Sequence, residues 1–480
     1  MRRAALRRAG GWILLLAGLL TAGAVQSAAG AGRSVGTGQS AGVGRSVGAE
    51  RLVESMQSLA GMGRSVGTGQ SAGAVQLVEP EPSAGPVPFA VPVSDPAAES
   101  GIRVGMTDTA AYFPLLRGCR VAVLANQTSV AAMPGAVGTD GQPVTADAAG
   151  WIHLVDLLHE CGFEVTAIFS PEHGFRGTAD AGEKVASTVD VRTGIPIRSL
   201  YDGRTLRPSD EVMRSFDVLV VDMQDVGLRF YTYYISMLRM MDASAQFGRR
   251  VIVLDRPNPN GDKVEGPRLD MRYKSGVGAL PIPVLHGLTM GEIARMAVGE
   301  GWARRCDLTV VPCRNYTHAA EYVLPVAPSP NLPTQRSIYL YAALCPFEGT
   351  VVSLGRGTAW PFEIYGHPDL RGRSFTFTPR PTPGAKHPPL EGRLCRGEDL
   401  SRMPMEEARR VGFSLKYVID AYRDLGLGEA FFTPMFEKLV GVGWVREMIL
   451  DGASDEEIRA RWKPEAEAFR QLRAKYLLYE

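Results

Sequence analysis

Between residues 101 and 270, short apolar runs alternate with stretches whose apolar positions recur at helical spacing. The apolar runs predict buried strands at 120–125, 164–169, 216–221 and 251–254, and the stretches between them predict helices at 151–161 and 230–247. Such alternation is typical of parallel strands joined by crossover helices. The pattern therefore predicts an α/β fold with a Rossmann-like sheet domain over 101–270.

The pattern becomes less regular after residue 270. A helix is expected from Thr289, and the proline-dense stretch 324–334 (LPVAPSPNLPT) must be extended or turned. Further helices are predicted at 414–425 and 455–477. We interpret 271–480 as a smaller α+β domain that packs over the rim of the sheet, with the active site in the cleft between the two domains.

The N-terminal residues have the pattern of an export signal. Four arginines within the first eight residues precede an apolar run at 12–25, which ends in small residues. This run is shorter than the about 20 residues that span a bilayer, so we expect a cleaved signal peptide at 1–31 rather than an uncleaved membrane anchor. The mature protein is then expected to be periplasmic or secreted, without a membrane segment.

Residues 32–100 have the composition of a disordered linker. The string GRSVGTGQSAG occurs at 32–42 and again at 63–73, and prolines recur between 80 and 96. Such a segment buries too little apolar surface to offset the entropy of ordering it. A wall-binding arm is the alternative interpretation.

The overall charge and the absence of several motifs argue against some classes of partner and reaction. The 480 residues carry 52 Lys and Arg against 51 Asp and Glu, so no global field attracts nucleic acid, and an anionic substrate must be met by local arginines. The six cysteines do not form C-x-x-C patterns. A G-x-S-x-G elbow at a strand-to-helix junction, a dinucleotide fingerprint and a Walker A loop are absent. These absences leave acid/base hydrolysis by carboxyl groups as the favoured chemistry, with no cofactor expected.

Polar side chains follow all four predicted strands. In an open parallel sheet, ligands bind outside the carboxyl ends of the strands, so these residues are expected to converge on one rim. They are Asn126, Glu172, His173, Asp222, Asp225, Asp255 and Arg256. A zinc or manganese hydrolase that uses the histidine and the aspartates is an alternative, although no H-x-H or H-E-x-x-H spacing supports a metal site.

Several strings resemble the exo-β-N-acetylmuramidases, glycoside hydrolases long catalogued as a domain of unknown function. They include NQTS (126–129), SPEHGFRG (170–177), DMQDVGLRFYTY (222–233), LDRPNPNG (254–261), PSPNLPT (328–334), FEGT (347–350) and GRGT (355–358). The resemblance implies a Rossmann-like domain, a smaller C-terminal domain and an active site between them. It also implies removal of N-acetylmuramic acid from the non-reducing ends of peptidoglycan fragments, either muropeptides or the MurNAc-GlcNAc disaccharide.

Glu172 is the candidate proton donor for that reaction. It follows a buried strand and lies near Phe169 and Phe175 in sequence, surroundings expected to raise its pKa, and His173 would hold or tune it. In the alternative interpretation, Glu172 caps the next segment and His173 bonds a carbonyl. A glycosidase also needs a second carboxylate.

The candidates for that second carboxylate rank as Asp225, then Glu265 and Glu348. One of Asp222 and Asp225 could instead stabilise its own loop by accepting bonds from backbone amides. A non-catalytic wall-binding protein is a further hypothesis.

Substrate contacts are expected from arginines and aromatic residues. The lactyl carboxylate of the sugar suits a bidentate guanidinium, although at least half of the candidate arginines are expected to be structural. Tyr231 could stack on a sugar ring or belong to the core. His153 is expected to be incidental. The binding candidates are Asn126, Arg176, Asp222, Arg229, Tyr231, Arg256, His286 and Arg356.

Overall fold

A computed structural model of the chain describes residues 101–171, 175, 188–200 and 207–480. The predicted signal peptide at 1–31 and the linker at 32–100 lie outside these residues, as do Glu172, His173 and Arg176. Within the described ranges, no helix is both long and apolar enough to cross a membrane.

A seven-stranded sheet forms the centre of the fold. Its strands are β1 Val121–Ala125, β4 Val165–Ser170, β5 Thr188–Val189, β6 Pro196–Ser199, β7 Val218–Asp222, β8 Arg250–Leu254 and β9 Leu308–Val311, while β2 Val130–Ala132 and β3 Trp151–His153 form a separate antiparallel pair. The order across the sheet is β5-β6-β4-β1-β7-β8-β9, and all neighbours are parallel except β5 and β6. Counting only the parallel strands, this is the 3-2-1-4-5-6 order of a doubly wound sheet. The predicted Rossmann-like α/β fold is confirmed.

Successive residues of the central strands point into two different cores. In β1, Val121 and Val123 join one apolar cluster, whereas Ala122 and Leu124 join the other. All five residues of this strand are buried. Parallel strands covered on both faces carry continuous apolar runs, which is why these strands could be recognised in the sequence.

Eleven α-helices lie within the described residues. They are α1 Thr109–Leu116, α2 Leu154–Glu160, α3 Asp210–Arg214, α4 Tyr233–Gln246, α5 Met290–Gly299, α6 Gln335–Leu344, α7 Met405–Val411, α8 Lys416–Leu425, α9 Met435–Val440, α10 Trp444–Leu450 and α11 Asp455–Arg473. Thr289 caps α5 in a capping box, as predicted. The helix predicted over 151–161 is wrong in its first residues, because 151–153 pair with 130–132 and the helix begins at Leu154.

The second half of the chain adds a small antiparallel sheet and most of the later helices. Its strands are β10 Ile364–His367, β11 Phe375–Phe377 and β12 Cys395–Asp399, in the order β10-β12-β11. One apolar cluster extends from Ile102 to Phe469 and includes residues of both halves. The large sheet also takes its edge strand β9 from the 271–480 range. The two halves thus share a core, which brings side chains of the second half to the sheet.

Candidate active site at the strand ends

The strand order reverses between β1 and β7. The connection from β1 leads to β4 on one side, whereas that from β7 leads to β8 on the other. Ala125 at the end of β1 pairs with Asp222 at the end of β7, so Asn126 and Asp222 lie side by side. Ligands of doubly wound sheets bind at such a reversal.

The turn after β1 is held by hydrogen bonds between its own polar groups. Asn126 Oδ1 accepts from the Thr128 amide at 3.0 Å and its hydroxyl at 2.6 Å. The Ser129 hydroxyl accepts from the Asn126 amide and donates to the Asp222 carbonyl. This last bond ties the ends of β1 and β7 together.

His153 belongs to this network, although sequence reasoning treated it as incidental. Its Nδ1 accepts from the Val155 amide at 3.2 Å, so Nε2 carries the proton and donates to the Asn126 carbonyl at 2.9 Å. Its ring meets the Phe175 ring edge-on, with centroids 5.1 Å apart. Phe175 belongs to the SPEHGFRG string, so His153 links that stretch to the β1 turn. Its position just before α2 was the available signal, because an N-cap side chain is oriented by backbone bonds.

Asp222 and Arg256 form a buried bidentate ion pair. Asp222 Oδ1 accepts from Arg256 Nε at 2.5 Å and Oδ2 accepts from Nη2 at 2.9 Å, while Nη1 donates to the Val130 carbonyl at 3.1 Å. Both side chains are almost fully buried. Burial raises the pKa of Asp222, and the guanidinium opposes that rise. The pair joins β7, the segment after β8 and the β2 strand, so we assign both residues a structural role at the rim.

Asp225 is buried, and no cation of the described part of the chain lies beside it. Its Oδ1 accepts from the Gly227 amide at 2.8 Å, whereas Oδ2 has no hydrogen-bond partner among the described residues. Burial raises the pKa of Asp225 to about 7, although the amides of Gly227, Val226 and Tyr234 oppose the rise. A carboxyl group that titrates near neutrality can exchange protons with a substrate, which is the property expected of a catalytic acid or base.

Five buried polar atoms at this rim have no hydrogen-bond partner within the described part of the chain. They are Asn126 Nδ2, Gln127 Oε1, Ser170 Oγ, Gln224 Oε1 and Asp225 Oδ2. Both glutamine amides are oriented, because each Nε2 donates to two carbonyls. Other atoms of this kind are scattered through the described residues, but these five lie at or just beyond the ends of the adjacent strands β4, β1 and β7. Unpartnered buried groups are costly, and a cluster of them marks a place where a ligand completes the bonding.

A pocket of about 170 Å³ contains three of the predicted site residues, Tyr231, Glu348 and Arg356. Its other walls include Phe230, Tyr233, Asn331, Tyr341 and Phe362. Burial raises the pKa of the Tyr231 hydroxyl, and the neighbouring Tyr233 and the charge of Asp225 add to the rise. Aromatic walls with a few polar groups are the usual lining of a small-ligand site.

The proline-rich segment 324–334 is fixed next to the pocket by its backbone. The Pro328 carbonyl accepts from the hydroxyls of Tyr231 and Tyr233, both at 2.8 Å, and from Gln127 Nε2 at 3.2 Å. Gln127 also donates to the Ala327 carbonyl. Tyr231 therefore positions this segment as well as lining the pocket.

Three other candidates lie elsewhere. Arg229 is fully buried and donates to the carbonyls of Pro267, Ile282 and Leu439, so its guanidinium is used inside the core. His286 accepts from the Leu288 amide, and burial lowers its pKa to about 3, which keeps it neutral. Glu265 accepts from the Phe413 amide at 2.8 Å. Arg229 and Glu265 connect segments that are distant in sequence, whereas His286 bonds within its own turn. None of the three lines the aromatic pocket.

The described residues contain no group of three or more His, Cys, Asp or Glu that could hold a metal ion. Asp255, one of the proposed ligands, accepts from the Thr289 and Tyr479 hydroxyls and the Gly291 amide at the start of α5. His173, the proposed nitrogen ligand, lies outside the described residues.

Comparison with protein families matches almost the whole described chain. The N-terminal model of the exo-β-N-acetylmuramidase NamZ matches residues 121–336, and the C-terminal model of the same enzyme matches residues 339–479. The peptidoglycan β-N-acetylmuramidase NamZ of Bacillus subtilis is 37% identical over 410 residues, which cover 80% of this chain and 92% of that protein.

Two solved structures from Bacteroides fragilis have the same fold. Both are DUF1343 family proteins, and each comparison covers 79% of this chain and 99% of the other. One is 51% identical with a TM-score of 0.70, and the other is 28% identical with a TM-score of 0.64.

Proposed function

The chain belongs to the NamZ family of peptidoglycan glycoside hydrolases, and from that premise we propose that it releases N-acetylmuramic acid from the non-reducing ends of peptidoglycan fragments. The observation that carries the proposal is the group of unpartnered polar atoms at the β4, β1 and β7 ends. Two of the five are amide oxygens, which only accept, and Asp225 Oδ2 also only accepts when its carboxyl is ionised. Sugar hydroxyls donate to such oxygens. A polyol therefore suits this rim better than an apolar ligand.

The aromatic pocket supports exo action on a terminal sugar. Rings of Phe230, Tyr231, Tyr341 and Phe362 line a pocket of about 170 Å³, a volume closer to that of a single sugar unit than to that of a glycan chain. Aromatic faces pack against the apolar faces of a pyranose. An enzyme that binds one terminal unit in such a pocket removes units from the end of a chain.

In the proposed mechanism, Glu172 donates a proton to the leaving oxygen and Asp225 is the second carboxylate, as base or nucleophile. The pKa of Asp225, about 7 in the unliganded protein, leaves it partly protonated at neutral pH. A sugar hydroxyl that donates to the unpartnered Oδ2 stabilises the ionised form and lowers that pKa. Substrate binding would thus produce the carboxylate that the reaction needs.

The test is hydrolysis of a chromogenic β-N-acetylmuraminide by the wild type and three amide variants. We expect Glu172→Gln and Asp225→Asn to fold and to lose about 10²- to 10⁴-fold in kcat. Glu265→Gln, in which an amide oxygen still accepts from the Phe413 amide, should stay within a few-fold of the wild type. Full activity in Glu172→Gln would remove the proposed donor, and fragment binding without any turnover by the wild type would favour a wall-binding protein.

The proposal includes an extracytoplasmic location, either periplasmic or secreted. It rests on the arginine-rich start of the chain and the short apolar run at 12–25. Peptidoglycan lies in the same compartment. Cell fractionation, with a matched chain that lacks residues 1–31, would show whether this segment directs export.

A further inference from the structure

The three described arginines proposed for substrate binding differ in what they still offer a ligand. Arg256 is committed to Asp222 and the Val130 carbonyl, and Arg229 to three carbonyls. Both are almost fully buried. Arg356 lines the aromatic pocket, and its side chain is 18% exposed. Of these three, Arg356 is the one that a bound molecule can reach.

Glu348 holds Arg356 through two of its three guanidinium nitrogens. Arg356 Nε and Nη2 both donate to Glu348 Oε1, at 2.8 and 2.5 Å. Among the described residues, Nη1 has no hydrogen-bond partner. Glu348 is itself 29% exposed on the pocket wall. A guanidinium oriented by one carboxylate can bind a second one through its remaining N–H groups, which lie in a fixed plane.

The Phe362 ring packs against the Arg356 guanidinium, and the backbone of Phe362 is strained. The Arg356 guanidinium carbon lies 5.2 Å from the centre of the Phe362 ring, and this ring meets Tyr341 edge-on at 4.8 Å. Phe362 has φ +60°, which is unfavourable for a bulky residue. Its amide donates to the Leu354 carbonyl at 2.9 Å. Strain of this kind persists where the surroundings enforce it and is concentrated at ligand sites.

Glu363 ties this turn to the proline-rich segment. Its carboxyl accepts from the Thr334 hydroxyl and, at 3.4 Å, from Arg336 Nη1. Thr334 is the N-cap of α6 and ends the segment whose Ser329, Asn331 and Leu332 line the same pocket. These bonds fix the position of Phe362, the residue before Glu363, relative to the segment that forms another wall of the pocket.

We propose that Arg356 is a specificity-determining residue that binds the free carboxylate of a lactyl ether on the terminal sugar, with Glu348 and Phe362 as its positioning residues. The inference rests on the proposed function and places the acidic substituent of that sugar at the Arg356 wall of the aromatic pocket. It makes Glu348 the partner of Arg356 rather than the second carboxylate of the reaction. A sugar whose lactyl group is blocked as a neutral amide should bind weakly.

The test compares free N-acetylmuramic acid with its lactyl methyl amide by titration calorimetry. The variant is Arg356→Lys, which keeps the charge but loses the planar donor set. Arg446→Lys is the matched control, because Arg446 pairs with Glu437 at 2.9 Å, lies 5.7 Å from the Phe432 ring and is 28% exposed, outside the aromatic pocket. We expect the wild type and Arg446→Lys to prefer the acid by about tenfold or more, and Arg356→Lys to lose that preference.

An unchanged preference in Arg356→Lys, or an equal loss of affinity for acid and amide, would overturn the assignment. Turnover of the chromogenic muraminide tests Glu348 separately. As a positioning residue, Glu348→Gln should raise KM and lower kcat by less than tenfold, whereas a fall of 10³-fold or more in kcat would make it catalytic and refute its assigned role. Failure of the proposed function is distinguishable, because the wild type would then hydrolyse no muraminide, whatever the binding comparison gives.

Discussion

Replacing Asp225 by Asn should stabilise the protein at alkaline pH while it removes activity. Asp225 is 5% exposed, and among the described residues it has no cation beside it and its Oδ2 has no hydrogen-bond partner. An ionised carboxylate in such a place is destabilising, because burial removes its hydration. Asparagine has nearly the same shape, can still accept from the Gly227 amide and cannot ionise.

The size and sign of the effect follow from the pKa. In the folded protein the pKa of Asp225 is about 7, against 3.8 for an ordinary aspartate. Between these values the folded state keeps a proton that the unfolded chain has lost, so the free energy of unfolding falls as pH rises through this window. At about 1.4 kcal/mol per pKa unit, the loss amounts to about 4 kcal/mol above pH 7, before any relaxation of the site reduces it.

Urea unfolding at pH 4, 6 and 8, followed by tryptophan fluorescence, measures the difference. The two proteins should be nearly equal at pH 4, and Asp225→Asn should be more stable by about 2–4 kcal/mol at pH 8. Asp217→Asn is a control of opposite sign. Hydrogen bonds from Arg120 lower the pKa of Asp217 to about 2, so its stabilising effect is present above pH 4 and disappears as the pH falls toward 2.

A stability difference between Asp225→Asn and the wild type that does not change between pH 4 and pH 8 would contradict a raised pKa of Asp225. A variant less stable than the wild type at pH 8 would contradict it as well. Either result would mean that the Asp225 carboxylate is well solvated or well paired in the folded protein. Asp225 would then lose the main physical reason for a catalytic assignment.

Two further predictions concern the ion pair and the metal alternative. Asp222→Asn leaves the Arg256 guanidinium buried without its counter-charge and should lower the free energy of unfolding by about 3–5 kcal/mol, as measured by urea titration; a loss below about 1 kcal/mol would contradict a buried, charged pair. Hydrolysis of the muraminide should persist after dialysis against a chelator, since we propose carboxyl catalysis; loss of turnover that zinc or manganese restores would instead support the metal-dependent hydrolase.

Much of the fold could be predicted because its signals are local. The apolar run that became β1 is buried on both faces, and Thr289 precedes its helix with Glu292 at the capping-box position. The edge strand β9 was missed because it is short, only partly buried and separated from β8 by more than fifty residues of mostly irregular chain. His153 was missed because its role depends on a contact with Asn126, and no periodicity in the sequence reports such a contact.

The sequence by itself determined the α/β class, the family and the set of polar residues at the strand ends, because strand pattern and motif strings are properties of neighbouring residues. Only the tertiary structure decided what each of these residues does. Asp222 pairs with Arg256 and Glu348 pairs with Arg356, whereas Asp225 is buried with no described cation beside it. Three side chains of the same chemical type thus have different roles, since the order of the strands and the packing of the second half select their partners.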